Sequence, residues 1–565
     1  MAPSNGVYKF VIIFLLCCSL VVFLLTQNFI DYDVRTFNIS VPYPKVWSQW
    51  VEPIFENYTV ISQNVSHITR LTPKEPGYVF VPKNDKAADV MEARKSLRNI
   101  PEAPYIFGRT NSGPQNFNKT CAPFSTLDRI NFNNIYWQTE STANITFYLL
   151  NAYLDTREMN PDAPEVRIVL MADVNPSLQE TCENSYCQIW FDLKHRPQIV
   201  PVRECRPLWQ DAWGRNSRYV GRLVSCPLGQ SESHLDGVIP TSVSLVQNIC
   251  DSATNNLHVH YELPESGEEV EPKDGDGDRL RFGVCVKGLD FLEEGKKPAR
   301  MVEWIELLGI FGAEKIFIYE FSIHPNVKKV LDYYVKKGNV EVFPVTLPGT
   351  LPNEKTLRHM YISDKKHLTE KRKNEVITYN DCLYRNMYRF DFLALLDTDE
   401  ILVPTEDANW QDLFNRPEVA EAMKENSRST YCFRQLHFFA DLTVPDVTSN
   451  CHMLEHSYRD INFTRPGVAV KCFHKTDRTQ TLHNHFPFSC LGKCKTFNFD
   501  PANQARMQHY RSLSRFDNLV NRPECEGMQY EECLNYFTSI DKTLWRFKDE
   551  LVPKVEGVMK EIGLM

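Results

Sequence analysis

The segment 281–396 alternates between strand-like and helix-like patterns, and this alternation limits the fold more than any other feature of the sequence. Short apolar runs rich in β-branched and aromatic residues predict strands, whereas apolar residues three or four positions apart predict helices. The predicted strands are 281–289, 315–321, 340–345 and 392–396, and the predicted helices are 299–311, 326–337 and 375–388. Such units build a mainly parallel sheet with helices on both faces, and ligands of these sheets bind beyond the carboxyl ends of the strands.

The last predicted strand leads directly into an acidic triplet. In FLALLDTDEIL, five apolar residues precede Asp397, Thr398 and Asp399, and Glu400 follows. Because side chains two positions apart on a strand share a face, Asp397 and Asp399 are expected to point the same way. Paired carboxylates repel each other unless a cation lies between them, and oxygen ligands suit Mn²⁺ or Mg²⁺ holding a phosphate-bearing substrate. A solvated acidic turn is the alternative interpretation.

The rest of the chain, 565 residues in all, is too long for one ordinary core. Several short strand-like runs separated by Pro, Asp and Asn precede the alternating segment, and they predict a sandwich-like β-rich domain. The predicted order is a cytoplasmic tail (1–9), a transmembrane signal anchor (10–30), a stem (31–118), the β-rich domain (119–263), a linker (264–280), an α/β domain (281–540) and a C-terminal helical tail (541–565).

The amino-terminal segment favours a retained membrane anchor over a cleaved signal peptide. Residues 10–25 carry no charge, and the following residues offer no small-residue cleavage pattern. Six N-glycosylation sequons place the body of the chain in the lumen of the secretory pathway. Their acceptor residues are Asn38, Asn57, Asn64, Asn118, Asn144 and Asn462.

Cysteine content and charge agree with this placement. Of seventeen cysteines, fifteen lie outside the predicted membrane span, which is typical of an oxidising compartment. Close pairs that could form local bridges are Cys182/Cys187, Cys490/Cys494 and Cys525/Cys533. A zinc site formed by Cys490 and Cys494 with nearby histidines is an alternative for that pair. The net charge of -9 argues against a nucleic-acid partner.

Four segments of the second half carry a more specific resemblance. They are MVEWIELLGIFGAEKIFIYEFS, YNDCLYRNMYRFDFLALLDTDEILVP, KCFHKTDRTQTLHNHFP and QHYRS, in this order. Together they resemble glycosyltransferase family 92 over about 281–537. The resemblance implies a GT-A nucleotide-diphospho-sugar transferase fold and a single-pass type II enzyme of the Golgi membrane. It also implies inverting transfer from a UDP-sugar donor, UDP-galactose foremost, to a glycan acceptor such as the core fucose of N-glycans.

The resemblance also suggests metal ligands. Asp399, with Asp397 directly or through water, is expected to hold Mn²⁺ at the donor diphosphate. Enzymes of the GT-A fold usually add one histidine from the carboxyl-terminal part of the domain. His485 is the favoured candidate, while His483 and His509 remain alternatives.

Five further residues are candidates for contact with the substrates. Arg511 has a planar guanidinium that suits a phosphate. Lys287 and Glu320 follow two of the predicted strands, where the uridine is expected to bind. Asp381 and Arg385 lie one turn apart on a predicted helix, where a simple ion pair would explain them equally well.

An inverting transfer needs a general base for the acceptor hydroxyl. Between the triplet and the late histidines, Asp441, Asp446, Glu455 and Asp460 have a suitable side chain, and we place Glu455 first and Asp441 next. Two functional alternatives stay open at this stage: an inactive carbohydrate-binding lumenal protein and a haloacid-dehalogenase-like phosphatase. The oligomeric state, including a homodimer, is also open.

Overall fold

The computed structural model divides the chain into two compact units, residues 1–92 and 93–565. It describes residues 58–62, 78–82, 99–101, 121–126, 129–142, 144–173, 182–191, 196–210, 213–214, 217–228, 239–263, 279–293, 295, 297–425, 427–444, 451–512 and 526–565. In the first unit, β1 (Tyr58–Ser62) pairs antiparallel with β2 (Tyr78–Pro82), within the segment predicted as a stem. The predicted anchor, residues 10–30, lies outside the described residues. Within the described ranges, no helix combines the length and apolarity needed to cross a membrane.

The β-rich region of the second unit forms one ten-stranded sheet. Its strands are β3 (Phe132–Asn134), β4 (Trp137–Ser141), β5 (Thr146–Asp155), β6 (Glu165–Asp173), β7 (Tyr186–Phe191), β8 (Gln198–Pro201), β9 (Glu204–Pro207), β10 (Tyr219–Pro227), β11 (Pro240–Val246) and β12 (Leu257–His260). The order is β8-β7-β11-β12-β5-β6-β10-β9, and β4 pairs with β5 and β3. One hydrophobic core joins β5, β6 and β10 to β7 and β11, so the sheet folds over on itself like a sandwich.

Disulfide pairing corrects one prediction and confirms another. Cys182 does not pair with Cys187, because the folded sheet brings other partners closer in space. The described bridges are Cys121–Cys250, Cys182–Cys205, Cys187–Cys226, Cys285–Cys382, Cys432–Cys472 and Cys490–Cys494. The Cys490–Cys494 prediction is confirmed, and the zinc alternative for this pair is wrong because both thiols are oxidised. Cys533 is also disulfide-bonded, whereas its predicted partner Cys525 lies outside the described residues.

The α/β region is built on a seven-stranded sheet with the order β15-β14-β13-β16-β21-β18-β24. Its strands are β13 (Phe282–Phe291), β14 (Ala313–Ile323), β15 (Val340–Pro344), β16 (Phe392–Leu395), β18 (Arg428–Phe433), β21 (Lys471–Lys475) and β24 (Lys495–Asn498). The four predicted strands, β13 to β16, are parallel, as expected. Beyond them, β21 runs antiparallel to both β16 and β18.

A second, five-stranded sheet follows the triplet, with the order β17-β25-β19-β20-β26. Its strands are β17 (Glu400–Pro404), β19 (Gln435–Phe439), β20 (Tyr458–Asp460), β25 (Ala505–Arg511) and β26 (Thr538–Ile540). A separate hairpin joins β22 (Thr479–Leu482) to β23 (Pro487–Cys490). The sequence patterns did not predict this second sheet.

Helices cover both faces of the seven-stranded sheet. They are α1 (Lys297–Phe311), α2 (Pro325–Lys337), α3 (Lys355–Ser363), α4 (Leu368–Asn386), α5 (Trp410–Phe414), α6 (Pro417–Lys424), α7 (His452–Glu455), α8 (Tyr530–Phe537) and α9 (Lys548–Glu561). One core joins α1, α2 and α9 to the two sheets. The predicted C-terminal tail is therefore part of the domain, since Leu551 and Val555 of α9 are buried in this core.

The opposite face of the sheet is covered by α4 and by the β-rich region, which share a core. Tyr153 of β5 and Leu223 of β10 pack in the same cluster as Tyr379 and Leu383 of α4. The β-rich region is consequently a structural layer of the α/β region rather than a separately tethered module.

Candidate functional site

The acidic triplet lies in the turn that carries the chain from β16 of the first sheet to β17 of the second. The Glu400 backbone N–H donates to the Asp397 carbonyl at 3.0 Å, and the Asp397 N–H donates to the Glu400 carboxylate at 3.0 Å. The expectation that Asp397 and Asp399 share one strand face is therefore wrong, because the strand ends at Leu395. The two carboxylates instead have different neighbours.

Asp397 is enclosed by two lysines. The Lys287 ammonium lies 3.1 Å from Asp397 Oδ1, and the Lys471 ammonium lies 3.9 Å from Oδ2. Burial by itself raises the pKa of the Asp397 carboxyl, but the charges of Lys471 and Lys287 reverse the effect and hold that pKa below its ordinary value. Asp397 is therefore ionised, and its charge is compensated within the protein.

Lys471 is a site residue that the sequence analysis did not identify. Its side chain is fully buried, 3.0 Å from the Glu400 carboxylate and 2.7 Å from Asn484 Oδ1. The available signal was a lysine at the start of β21 (KCFHK), a largely buried strand that lies beside β16. A buried ammonium has to be paired, so this position pointed to a neighbouring carboxylate.

Asp399 faces a histidine. Its side chain is 46% exposed, and its Oδ2 lies 3.4 Å from Nε2 of His509. The antiparallel pairing of β17 with β25 sets this distance, because Glu400 is the register partner of His509. Glu400 Oε1 lies 3.6 Å from Nδ1 of the same ring, and Arg511 Nε donates to His509 Nε2 at 2.7 Å. The predicted candidates Asp399, His509 and Arg511 are thus brought together.

The other two candidate histidines lie on the β22–β23 hairpin and contact different groups. The His485 Nδ1 lies 3.1 Å from the Val470 carbonyl, and the His483 ring packs 4.4 Å from the ring of Trp213. Burial lowers the pKa of both rings to about 4, with further lowering by Lys471. The favoured metal ligand, His485, is therefore not the histidine that the fold places against Asp399.

Two of the predicted substrate contacts belong to the core between the β-rich and α/β regions. Asp381 accepts hydrogen bonds from Asn151, Tyr153 and Tyr319, and Arg385 lies 3.5 Å from the same carboxylate. The side chains of Asp381 and Arg385 are each 2% exposed. Their placement argues against nucleotide contact and assigns them a structural role.

Lys287 and Glu320 lie at different distances from the triplet. Lys287 contacts Asp397 directly and also lies 3.2 Å from Glu375 of α4. Glu320, near the end of β14, lies 3.9 Å from Lys328 and lines a cavity of about 690 Å³ with Tyr136 and Arg358.

The candidate bases are dispersed. Asp441 follows β19 and accepts a hydrogen bond from Ser512 at 2.5 Å, next to Arg511 at the end of β25. Glu455 ends α7, whose Met453 N–H donates to Glu303 of α1 at 2.8 Å. Asp460 is buried in β20, and Asp446 lies outside the described residues. Among these four candidates, Asp441 forms its hydrogen bond with Ser512 directly beside Arg511.

The sequons fall partly within the described residues. Asn144 and Asn462 are exposed, as glycan attachment requires. Asn38, Asn57, Asn64 and Asn118 lie outside the described residues.

Comparison with known proteins finds one family similar to the α/β region. The sequence pattern of glycosyltransferase family 92 matches residues 281–551. The matched stretch covers just under half of the chain. This match confirms the resemblance, supports glycosyltransferase activity and includes the triplet, His509 and the first part of α9.

Individual relatives are distant. The "Beta-1,4-galactosyltransferase galt-1" of Caenorhabditis elegans is 26% identical over 173 residues, which is 30% of this chain and 36% of that protein. The match thus spans about a third of the relative's length. Among solved structures, ferredoxin-NADP+ reductase from Plasmodium falciparum is 13% identical and covers 44% of this chain and 84% of its own. Its TM-score of 0.11 is too low to bear on the fold of the family 92 domain.

Proposed function

We propose that this protein is a metal-dependent galactosyltransferase that transfers galactose from UDP-galactose, with inversion, to a glycan such as the core fucose of N-glycans. The observation that carries the proposal is the pairing of Asp399 with His509 at the carboxyl end of β16, inside the family 92 domain. Ligands of mainly parallel sheets bind at this edge. The name of the nematode relative supports galactose as the donor sugar.

The side chains around Asp399 are compatible with Mn²⁺ or Mg²⁺. Among the described residues no group of three His, Cys, Asp or Glu side chains is arranged to hold a metal ion. A site with one or two protein ligands nevertheless suits these ions, because they keep several waters and bind phosphate oxygens of the substrate. Among the residues that the structure describes, none forms a hydrogen bond with the buried His509 Nδ1, but this nitrogen faces Glu400, which would orient the ring as a carboxylate orients metal-bound histidines.

In this proposal, Asp399 and His509 would hold the metal ion, and the ion would neutralise charge on the departing diphosphate. Because Nε2 of His509 has a single lone pair, the Arg511 Nε–H that donates to it at 2.7 Å would turn away when the ion binds, and Arg511 would then bind a phosphate oxygen. Lys287 and Lys471 would keep Asp397 ionised and fixed in position. Asp441, beside Arg511, replaces Glu455 as the first candidate for the base that accepts the acceptor proton.

The Golgi membrane is the proposed location, with the family 92 domain in the lumen. The predicted anchor, the two exposed sequon asparagines and the six described disulfides support a secretory compartment. The family match favours sugar transfer over the phosphatase alternative.

The proposal is tested with the purified full-length protein, by assaying UDP-sugar hydrolysis and transfer with and without Mn²⁺. Donors are UDP-galactose, UDP-glucose and their N-acetyl forms, and the transfer acceptor is a core-fucosylated N-glycopeptide. We expect Mn²⁺-dependent turnover of UDP-galactose, reduced at least about a hundredfold by Asp399→Ala or His509→Ala. His485→Ala is the matched control, because this histidine lies on the separate hairpin.

Two results would contradict the assignment. Undiminished turnover in Asp399→Ala would exclude the metal role of the triplet. Glycan binding without turnover of any UDP-sugar would favour the inactive carbohydrate-binding alternative.

A further inference from the structure

An aromatic cluster is formed where the β22–β23 hairpin packs against the β-rich region. It consists of Trp213 from the β-rich region and His483, Phe486 and Phe488 from the hairpin. The ring centroids of the three hairpin residues lie 4.4, 5.7 and 5.2 Å from that of Trp213. All four residues are half-buried, and the Trp213 ring also lies 5.5 Å from that of Trp209.

The backbone beside Trp213 is held firmly against α4. Gly214 has a φ of +136°, and a Cβ at this position would lie 2.7 Å from the Thr369 hydroxyl of α4. The indole N–H of Trp209 donates to the Gly214 carbonyl at 3.0 Å. Only glycine fits such a backbone and such a close approach, so the fold presents Trp213 in a fixed place.

A short chain of contacts connects the cluster to the triplet. Asn484, the neighbour of His483, accepts hydrogen bonds from Lys471 at 2.7 Å and from the Tyr379 hydroxyl at 3.2 Å. The same Lys471 ammonium lies 3.9 Å from Asp397. The cluster and the triplet are therefore joined by a short series of contacts through Asn484 and Lys471.

The two surfaces differ in chemistry. Around the triplet, lysine, arginine and carboxylate groups suit a charged diphosphate and its metal ion. The cluster offers ring faces, and burial of His483 lowers its pKa to about 4, so this imidazole is neutral at neutral pH. A pyranose ring is uncharged and has an apolar C–H face, which packs well on the electron-rich face of an aromatic ring. Sugar hydroxyls could bond to nearby polar groups, as in most small-ligand sites.

From this arrangement we infer that the aromatic cluster is a subsite for a neutral pyranose of the acceptor glycan, with Trp213 as its main stacking surface. The inference rests on the proposed function, since the acceptor must lie beside the donor. It also gives the β-rich region a part in acceptor recognition, in addition to its packing role.

Saturation-transfer NMR on the full-length protein tests the inference without requiring turnover. The probes are methyl β-D-galactoside, methyl N-acetyl-β-D-glucosaminide and methyl α-L-fucoside. We expect the wild-type protein to bind at least one of them and Trp213→Ala to bind it about tenfold more weakly. Mn²⁺-dependent hydrolysis of UDP-galactose should be unchanged, because Trp213 lies outside the triplet. Phe132→Ala is the control, since this exposed aromatic belongs to β3 and not to the cluster.

The outcomes distinguish the two proposals. Asp399→Ala should lose hydrolysis and keep glycoside binding, whereas Trp213→Ala should do the reverse. If Trp213→Ala fails to fold, as judged by its melting curve, Phe488→Ala takes its place with the same expectation. Absence of glycoside binding in the wild-type protein, or equal binding in the cluster variants, would overturn the subsite.

Discussion

At the scale of single residues, Lys471 has the largest influence on the electrostatics of the site. Its fully buried ammonium lies between Glu400 and Asp397 and also donates to Asn484. Burial and the charge of Asp397 raise the pKa of Glu400, and Lys471 opposes that rise. A buried charge cluster of this kind is stable only while every member remains paired.

Replacing this ammonium should therefore destabilise the protein strongly. We expect Lys471→Met to lower the free energy of unfolding by about 3–5 kcal/mol, because Glu400 loses its buried counter-charge and Asp397 keeps only Lys287. Denaturant titration of the purified variant measures the change. Lys475→Met, on the same strand with a 24% exposed side chain and a 3.6 Å pair to Asp477, should cost under about 1 kcal/mol. Equal losses would show that burial at Lys471 is not the cause.

His474 gives a second residue-scale prediction, on pH. It lies in β21, and burial followed by the charge of Lys471 lowers its pKa to about 3. The folded state thus holds the ring neutral while the unfolded chain binds a proton near its ordinary pKa. This contribution to stability is fully present above that ordinary pKa and is lost as the pH falls from it toward about 3.

The size of the effect follows from the shift. Between neutral pH and mildly acidic pH, His474 should account for about 2 kcal/mol of lost stability. His474→Gln has no titrating imidazole at this position, so its free energy of unfolding should fall by about that much less between neutral and mildly acidic pH. This holds whatever the substitution does to stability at neutral pH. Urea unfolding at several pH values checks the difference in slope, and parallel pH profiles for the two proteins would contradict it.

At the scale of elements, the folded-over sheet of the β-rich region depends on a bridge between its two halves. Cys187 on β7 and Cys226 on β10 are joined across a core that contains strands of both halves. In the sheet order, β7 and β10 are separated by four other strands. The bridge therefore joins strands that are not neighbours in the sheet and lowers the conformational entropy of the unfolded chain by closing a loop.

Removing the Cys187–Cys226 bridge should lower the free energy of unfolding more than removing the local Cys490–Cys494 bridge. The double variant Cys187→Ala with Cys226→Ala, at a sequence separation of 39, should lose about 4 kcal/mol. Cys490→Ala with Cys494→Ala, at a separation of 4, should lose about 2 kcal/mol. Denaturant titration of both variants gives the comparison, and a larger loss for the short loop would contradict the chain-entropy argument.

At the scale of the whole molecule, the β-rich and α/β regions share one core, and Asp381 lies within it. Its carboxylate joins Asn151 and Tyr153 of β5 to Tyr319 of β14 and Arg385 of α4. The two regions should therefore unfold together rather than in separate transitions.

Asp381→Ala tests this coupling. It leaves the Arg385 guanidinium buried without this carboxylate, so we expect a loss of about 3–5 kcal/mol. Hydrogen exchange should become faster in both β5 and α4. Asp412 is an exposed carboxylate on α5, so Asp412→Ala should leave the exchange rates of both β5 and α4 unchanged. Faster exchange in α4 alone would show that the regions are energetically independent.

Local patterns accounted for the elements that depend on neighbours in sequence. The predicted strands and helices from β13 to β16 lie within a few residues of their predicted bounds, except that α4 begins at Leu368, before the predicted start. Helix α3 (Lys355–Ser363), between β15 and β16, was not predicted. The acidic triplet follows β16 as predicted, because a run of apolar residues defines the buried strand and its end. The five-stranded sheet was missed because its strands are short and pair across large sequence separations.

The sequence by itself determined the parallel α/β core, the position of the acidic triplet at the end of a central strand, and the resemblance to family 92. These follow from periodicity and from the order of motifs. Only the tertiary structure decided that Lys471 pairs with Asp397, that His509 rather than His485 faces Asp399, and that Asp381 belongs to the interior. The reason is physical: strand pairing and burial bring together side chains that are far apart in the sequence, and local spacing carries no information about such contacts.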